Sequence, residues 1–179
     1  MDDVTIEPFR ICFVCLGNIC RSPTAEGVMQ SLVDDAGLAE RIQVDSAGTG
    51  GWHVGDPPDQ RAAAEARRRG LDLTSRGRQA SPSDFYTFDL LVAMDHRNLA
   101  DLCDLAPEPA LRDKVVLLRS FDAESVASAE RHGHPESDFL AVPDPYYGGD
   151  RGFADVFDIV DAGCRGLLAH VAAQLDDPV

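Results

Sequence analysis

Positive charge is scarce in this sequence: Lys and Arg number 16 against 31 Asp and Glu, a formal net charge of -15 at pH 7. A nucleic-acid backbone or an anionic membrane surface is repelled by such a chain at long range, so neither is expected as a partner. Long apolar runs are lacking as well. The opening residues, MDDVTIEPFRICFVC, carry acids where a secretory leader carries bases, and no uninterrupted apolar stretch of about 20 residues is there to span a bilayer. These absences point to a cytoplasmic protein, while export by a route without such a signal stays open. A disulfide framework is missing too. Cysteines at positions 12, 15, 20, 103 and 164 make an odd count without regular spacing, which suits reduced thiols.

Neither repeats nor a linker divide the 179 residues, a length expected to form one domain, 1–179, burying roughly 70% of the surface of its unfolded chain. Phe9 to Val14 reads as a buried strand, and Ser22 and Pro23 read as N-cap and first residue of a helix that closes at Gly37. Ile42 to Ala47 is a second strand, followed by the glycine-rich loop GTGGWHVGDPP and a helix over about 59–69. Phe88 to Met94 and Val115 to Leu118 are further strands, with a helix from Asp95 to Leu105 between them. The polar stretch Asp122 to Pro143 predicts a short helical turn and a mobile loop. From Gly152 a long amphipathic helix follows, its stripe formed by Phe153, Phe157, Val160, Cys164, Leu167, Leu168 and Val171. Such alternation implies an α/β fold with a parallel sheet covered on both faces and a site at the carboxyl ends of its strands.

The stretch VCLGNICRSP, Val14 to Pro23, falls between the first strand and its helix. Gly17 and Asn18 tolerate left-handed backbone, so successive N–H groups can converge into an anion nest reinforced by the positive end of the helix. A cysteine at the mouth of such a nest, with arginine nearby, favours the thiolate over the thiol. Arg21 offers a planar fork to two phosphate oxygens. A zinc site would require about two more soft ligands, and no second cysteine pair follows. The loop reads as nucleophile, cradle and clamp.

CLGNICRS resembles the signature loop of the low-molecular-weight protein tyrosine phosphatases. DSAGTGGWHVG (45–55), MDHRN (94–98) and DPYYGG (144–149) extend the resemblance over nearly the whole chain. It implies a three-layer αβα sandwich around a four-stranded parallel sheet, with the phosphate-binding loop after the first strand. It also implies that Cys15 attacks phosphorus to form a phosphocysteine, that Arg21 and the loop Leu16, Gly17, Asn18, Ile19 and Cys20 hold the phosphoryl oxygens, and that Asp144 is general acid and then base. Ser22 would assist the thiolate, and Asn18 with Ser46 would shape the loop. Trp52, Tyr146 and Tyr147 would line the pocket, and oxidation could join Cys15 to Cys20 reversibly.

Taken alone, Asp144 is an ordinary loop Asp-Pro, and Asp95, which with Asn98 matches a family pair, is equally a helix cap. His53 and the histidines of RHGHPE read as solvated loop residues, and Cys12, Cys103 and Cys164 as buried packing. The implied partners are phosphotyrosyl proteins or peptides, with inorganic phosphate as product and inhibitor; no cofactor or metal is implied, and a monomer is expected. Two alternatives share the fold. Arsenate reductases need a further close pair of redox cysteines where only Cys103 lies, and arginine phosphatases tend to carry threonine in place of Ile19 and lack the aromatic pair after Asp-Pro.

Overall fold

The computed structural model describes residues 7–132 and 138–176. Four strands, β1 (Phe9–Cys15), β2 (Ile42–Gly48), β3 (Leu90–Ala93) and β4 (Val115–Leu117), form one sheet in the order β2-β1-β3-β4. Every neighbouring pair is parallel. The helices are α1 (Arg21–Asp35), α2 (Gln60–Arg68), α3 (Asp84–Thr87), α4 (His96–Leu105), α5 (Ala123–His132) and α6 (Asp150–Asp176).

Strand side chains alternate between faces, and this assigns the layers. Ile11, Phe13 and Cys15 of β1 pack into one core with Val28 and Met29 of α1 and with Phe157, Val160, Cys164, Leu167 and Val171 of α6. Cys12 and Val14 point the other way, into a second core with Phe85, Phe88, Leu91 and Leu102. Because β1 is buried on both faces, it reads as a continuous apolar run rather than an alternating one. The result is a three-layer αβα sandwich.

Several local expectations change. Helix α1 begins at Arg21, with Cys20 in the cap position and no side-chain cap. Ser22 and Pro23 therefore lie inside the first turn, because the Ser22 hydroxyl is engaged elsewhere. The polar stretch Asp122 to Pro143 carries a full ten-residue helix, α5, and a 3-10 turn, Asp138–Leu140. His132 stacks on Phe139 at 4.8 Å between ring centroids, whereas His134 falls outside the described residues. Cys103 is only half-buried against the edge of the second core, while Cys12 and Cys164 are fully enclosed. Burial pushes both of those thiols well above their ordinary pKa.

Candidate active site

The loop between Cys15 and Arg21 closes around the carboxyl end of β1. Its carbonyls are turned outward and tied down: Cys15 O accepts the Thr49 N–H at 2.9 Å, Leu16 O accepts Gly50 N–H at 2.9 Å, and Ile19 O accepts Asp59 N–H at 2.8 Å. A loop whose carbonyls face out turns its N–H groups toward its own centre, where Asn18 N–H lies 3.3 Å from Cys15 Sγ. Asn18 adopts φ 55°, the left-handed conformation that this reversal requires. Gly48, at the end of β2, permits the close approach behind the loop, since a Cβ there would stand 2.8 Å from Leu16 O.

The Asn18 carboxamide is fully used. Its nitrogen donates to Ser22 Oγ and to Ser46 Oγ, both at 2.9 Å, and its oxygen accepts the Arg78 N–H at 2.9 Å. Ser46 Oγ donates in turn to Glu26 at 2.5 Å. Because a carboxylate only accepts, the polarity runs outward from it: Ser46 presents a lone pair to Asn18, and Asn18 donates onto Ser22. The Ser22 hydroxyl then has its hydrogen free for Cys15 Sγ at 3.0 Å or Ala47 O at 3.2 Å. Burial raises the Glu26 pKa, against the hydrogen bonds from Ser46 and Ser75.

Arg21 is 3% exposed. It donates to Asp95 Oδ2 at 2.6 Å, to Val142 O at 3.1 Å and to Asp144 Oδ2 at 3.3 Å. Burial alone would lower its pKa, but Cys15, Asp95 and Asp144 more than offset this and hold it above its ordinary value. Asp95 also caps α4, accepting Asn98 N–H at 2.7 Å. The two readings of Asp95 are thus one arrangement: the cap sets a carboxylate where the arginine reaches it. The segment carrying Asp144 docks beyond β3 through Val142 N–H to Met94 O at 2.7 Å. Asp144 itself stays exposed, with one carboxyl oxygen accepting Tyr146 N–H at 3.0 Å.

Together these groups bound a cleft of about 310 Å³ lined by Cys15, Leu16, Gly17, Ile19, Cys20, Arg21, Asp144 and the aromatic rim Trp52, Tyr146 and Tyr147. Cys20 is enclosed beside the loop, and burial drives its thiol up to about 12. His53 departs from expectation. Half-exposed rather than free in solvent, it also lines the cleft, its ring lies against Gly17, and Nδ1 is 3.0 Å from Asp56.

Asp95, Glu26, His53 and the Val142 carbonyl are contacts of the site that reasoning from the sequence missed or left as caps and loop residues. Glu26, one helical turn after Ser22, carried a faint signal, and Asp95 and His53 lay in stretches that the resemblance covers; the Val142 carbonyl comes from a distant segment and carried none.

Residues 10–177 match the family described as low molecular weight phosphotyrosine protein phosphatase. A low molecular weight protein-tyrosine-phosphatase of Streptomyces coelicolor is 46% identical over 168 residues, 94% of this chain and 96% of the relative. A protein tyrosine phosphatase from Entamoeba histolytica, solved with Hepes in its active site, is similar in structure with a TM-score of 0.82 at 36% identity, covering 93% of this chain and 98% of that one. A Drosophila arginine phosphatase structure reaches a TM-score of 0.76 at 33% identity over 93% and 99% of the two chains.

Proposed function

The chain belongs to the low molecular weight phosphotyrosine protein phosphatase family and is a phosphatase; on that premise we propose that it hydrolyses phosphotyrosyl peptides and small aryl phosphates through a phosphocysteine on Cys15. The observation that carries the reading is the convergence of Cys15 Sγ, the inward N–H groups of its loop, the buried Arg21 fork and the Asp144 carboxyl on one cleft with aromatic walls.

The phosphoryl oxygens replace the carboxylate of Asp144 on Arg21 and take up the loop N–H groups, which act as preorganised donors. Cys15 Sγ attacks in line, forming the S–P bond as the P–O bond to the phenol breaks. A phenol has a pKa of about 10, so its departure is eased by a proton, supplied by Asp144. In the second step the Asp144 carboxylate takes a proton from water as its oxygen attacks phosphorus, and the S–P bond breaks. The departing thiolate is met by the Ser22 hydroxyl at 3.0 Å and by Asn18 N–H at 3.3 Å.

One domain, 1–179, carries this activity without a cofactor. Cys20 supports a reversible off-state: both thiols line one cleft, and both are free. Free thiols throughout suit a cytoplasmic location, and among the described residues no helix is long and apolar enough to cross a membrane. Hydrolysis of phosphoarginine is the second reading, kept because the Drosophila arginine phosphatase shares the fold at 33% identity. Ile19 at the loop and the Tyr146–Tyr147 pair, rings edge to face at 4.9 Å between centroids, favour a planar aryl group.

Turnover of para-nitrophenyl phosphate and of a phosphotyrosyl peptide by wild type and Cys15→Ser tests the reading. Loss of turnover and of acid-trapped phosphoenzyme in the variant supports it; undiminished turnover refutes the nucleophile, and faster hydrolysis of phosphoarginine refutes the substrate.

A further inference from the structure

Asp144 sits on an exposed segment between a 3-10 turn and α6, with Gly148 and Gly149 close behind it. Its side chain is 42% exposed, so packing alone does not aim it. We propose that Arg61, at the start of α2, is the positioning residue that aims Asp144, acting through the backbone of Tyr146. The proposal rests on the reading of Asp144 as the proton donor.

The guanidinium of Arg61 is itself anchored. Its Nε donates to Asp59 Oδ1 at 3.1 Å and its Nη2 to Asp59 Oδ2 at 3.0 Å, a fork-to-fork pair that fixes the plane of the group. These bonds, with burial working against them, hold the Asp59 carboxyl below its ordinary pKa. The remaining nitrogen, Nη1, donates to Tyr146 O at 3.2 Å. The guanidinium carbon also lies 4.7 Å from the Phe153 ring centroid and 5.5 Å from that of Tyr146, within cation–π range of both.

Tyr146 is therefore held at its carbonyl by Arg61, at its ring by the same cation, and it donates its own N–H to Asp144 Oδ1 at 3.0 Å. The other end of the strut is the catalytic loop, since Asp59 N–H binds Ile19 O at 2.8 Å. One arginine thus couples the loop that holds phosphate to the segment that carries the carboxyl group. A lysine could reach Tyr146 O, but its three donors share one nitrogen and do not reproduce the planar fork that binds Asp59 at the same time.

The distinguishing property is dependence on the leaving group. Proton donation matters most for a poor leaving group such as phenol, pKa about 10, and little for para-nitrophenol. In Arg61→Ala, kcat/KM for phenyl phosphate should fall about tenfold, a fraction of the 100-fold or more associated with a complete proton donor, and less than about threefold for para-nitrophenyl phosphate. In Asp144→Asn the same selective loss should be larger, and adding Arg61→Ala to that background should produce no further selective loss. Arg61→Lys should restore only part of the loss.

If Arg61→Ala lowers both substrates equally, leaves both unchanged, or adds its full selective effect in the Asp144→Asn background, Arg61 does not act through Asp144. If Asp144→Asn itself shows no selectivity for leaving group, the failure lies with the proton-donor reading, and the proposal falls with it.

Discussion

Arg21 and Asp95 meet at 2.6 Å, joining the first turn of α1 to the N-cap of α4. That contact, with the Val142 carbonyl, holds one nitrogen of the guanidinium so that the rest of the fork is turned toward the cleft. Asp95→Ala removes both the cap, costing about 1 kcal/mol of stability, and the charged hydrogen bond that aims the fork. We expect the inhibition constant for inorganic phosphate to rise about tenfold, the scale of one charge-assisted hydrogen bond. Unchanged or tighter phosphate binding by titration would show that Asp95 merely competes for the arginine.

The Ser22 hydroxyl lies 3.0 Å from Cys15 Sγ and does not cap its helix; under the proposed mechanism, Ser22→Ala should slow the step in which sulfur leaves phosphorus. A hydrogen bond to a charged group is worth roughly 10- to 100-fold, and kcat should fall in that range. Phosphoenzyme should then accumulate, visible as a burst in rapid-quench experiments. A loss confined to kcat/KM, with no burst, would place its role in the first step instead.

Cys20 can close a disulfide on oxidised Cys15 only as a thiolate: the Cys20 sulfur attacks a peroxide-generated Cys15 sulfenic acid and hydroxide leaves. Burial holds that thiol near 12, so the reactive fraction grows about tenfold per pH unit well below the pKa. Disulfide formation after a peroxide pulse should accelerate accordingly between pH 7 and pH 9, followed by quenched peptide mapping. A rate independent of pH would mean that another base deprotonates Cys20.

Glu26 binds its proton more tightly in the folded protein than in the unfolded chain, because burial outweighs the hydrogen bonds from Ser46 and Ser75. The associated stability is present below the unfolded pKa of about 4.3 and is lost as pH rises through the higher folded value. Glu26→Gln keeps an acceptor for Ser46 without the charge. Its urea midpoint should exceed that of wild type at neutral pH and converge on it below about pH 4. A variant less stable than wild type at pH 7 would show that the charge on Glu26 contributes more through Arg78 and its hydrogen bonds than burial removes.

Much of this protein was legible in one dimension. The apolar run before Cys15, the Gly-Asn turn and the arginine six positions on specify a strand, an anion nest and a helix, because each depends on backbone preferences within a few residues. The stripe on α6 was equally plain, since a helix packed on a sheet repeats its apolar positions in register. Local signals misled where a side chain had a distant partner. Ser22 looked like a cap but reaches Cys15 and Ala47, and His53 looked solvated but lies over Gly17.

The sequence by itself determined the strand-to-helix loop and the order of strands and helices, since these follow from short-range sterics, periodicity and spacing, while the aromatic residues near the site were indicated only by the resemblance. Only the tertiary structure decided what surrounds the arginine and the exposed carboxyl. Asp95 and Asp144 lie 74 and 123 positions from Arg21, and Arg61 lies 85 from Tyr146. No local preference encodes those meetings. They exist because all four strands are parallel, so the segments that follow β1, β2, β3 and β4 leave the sheet at the same end.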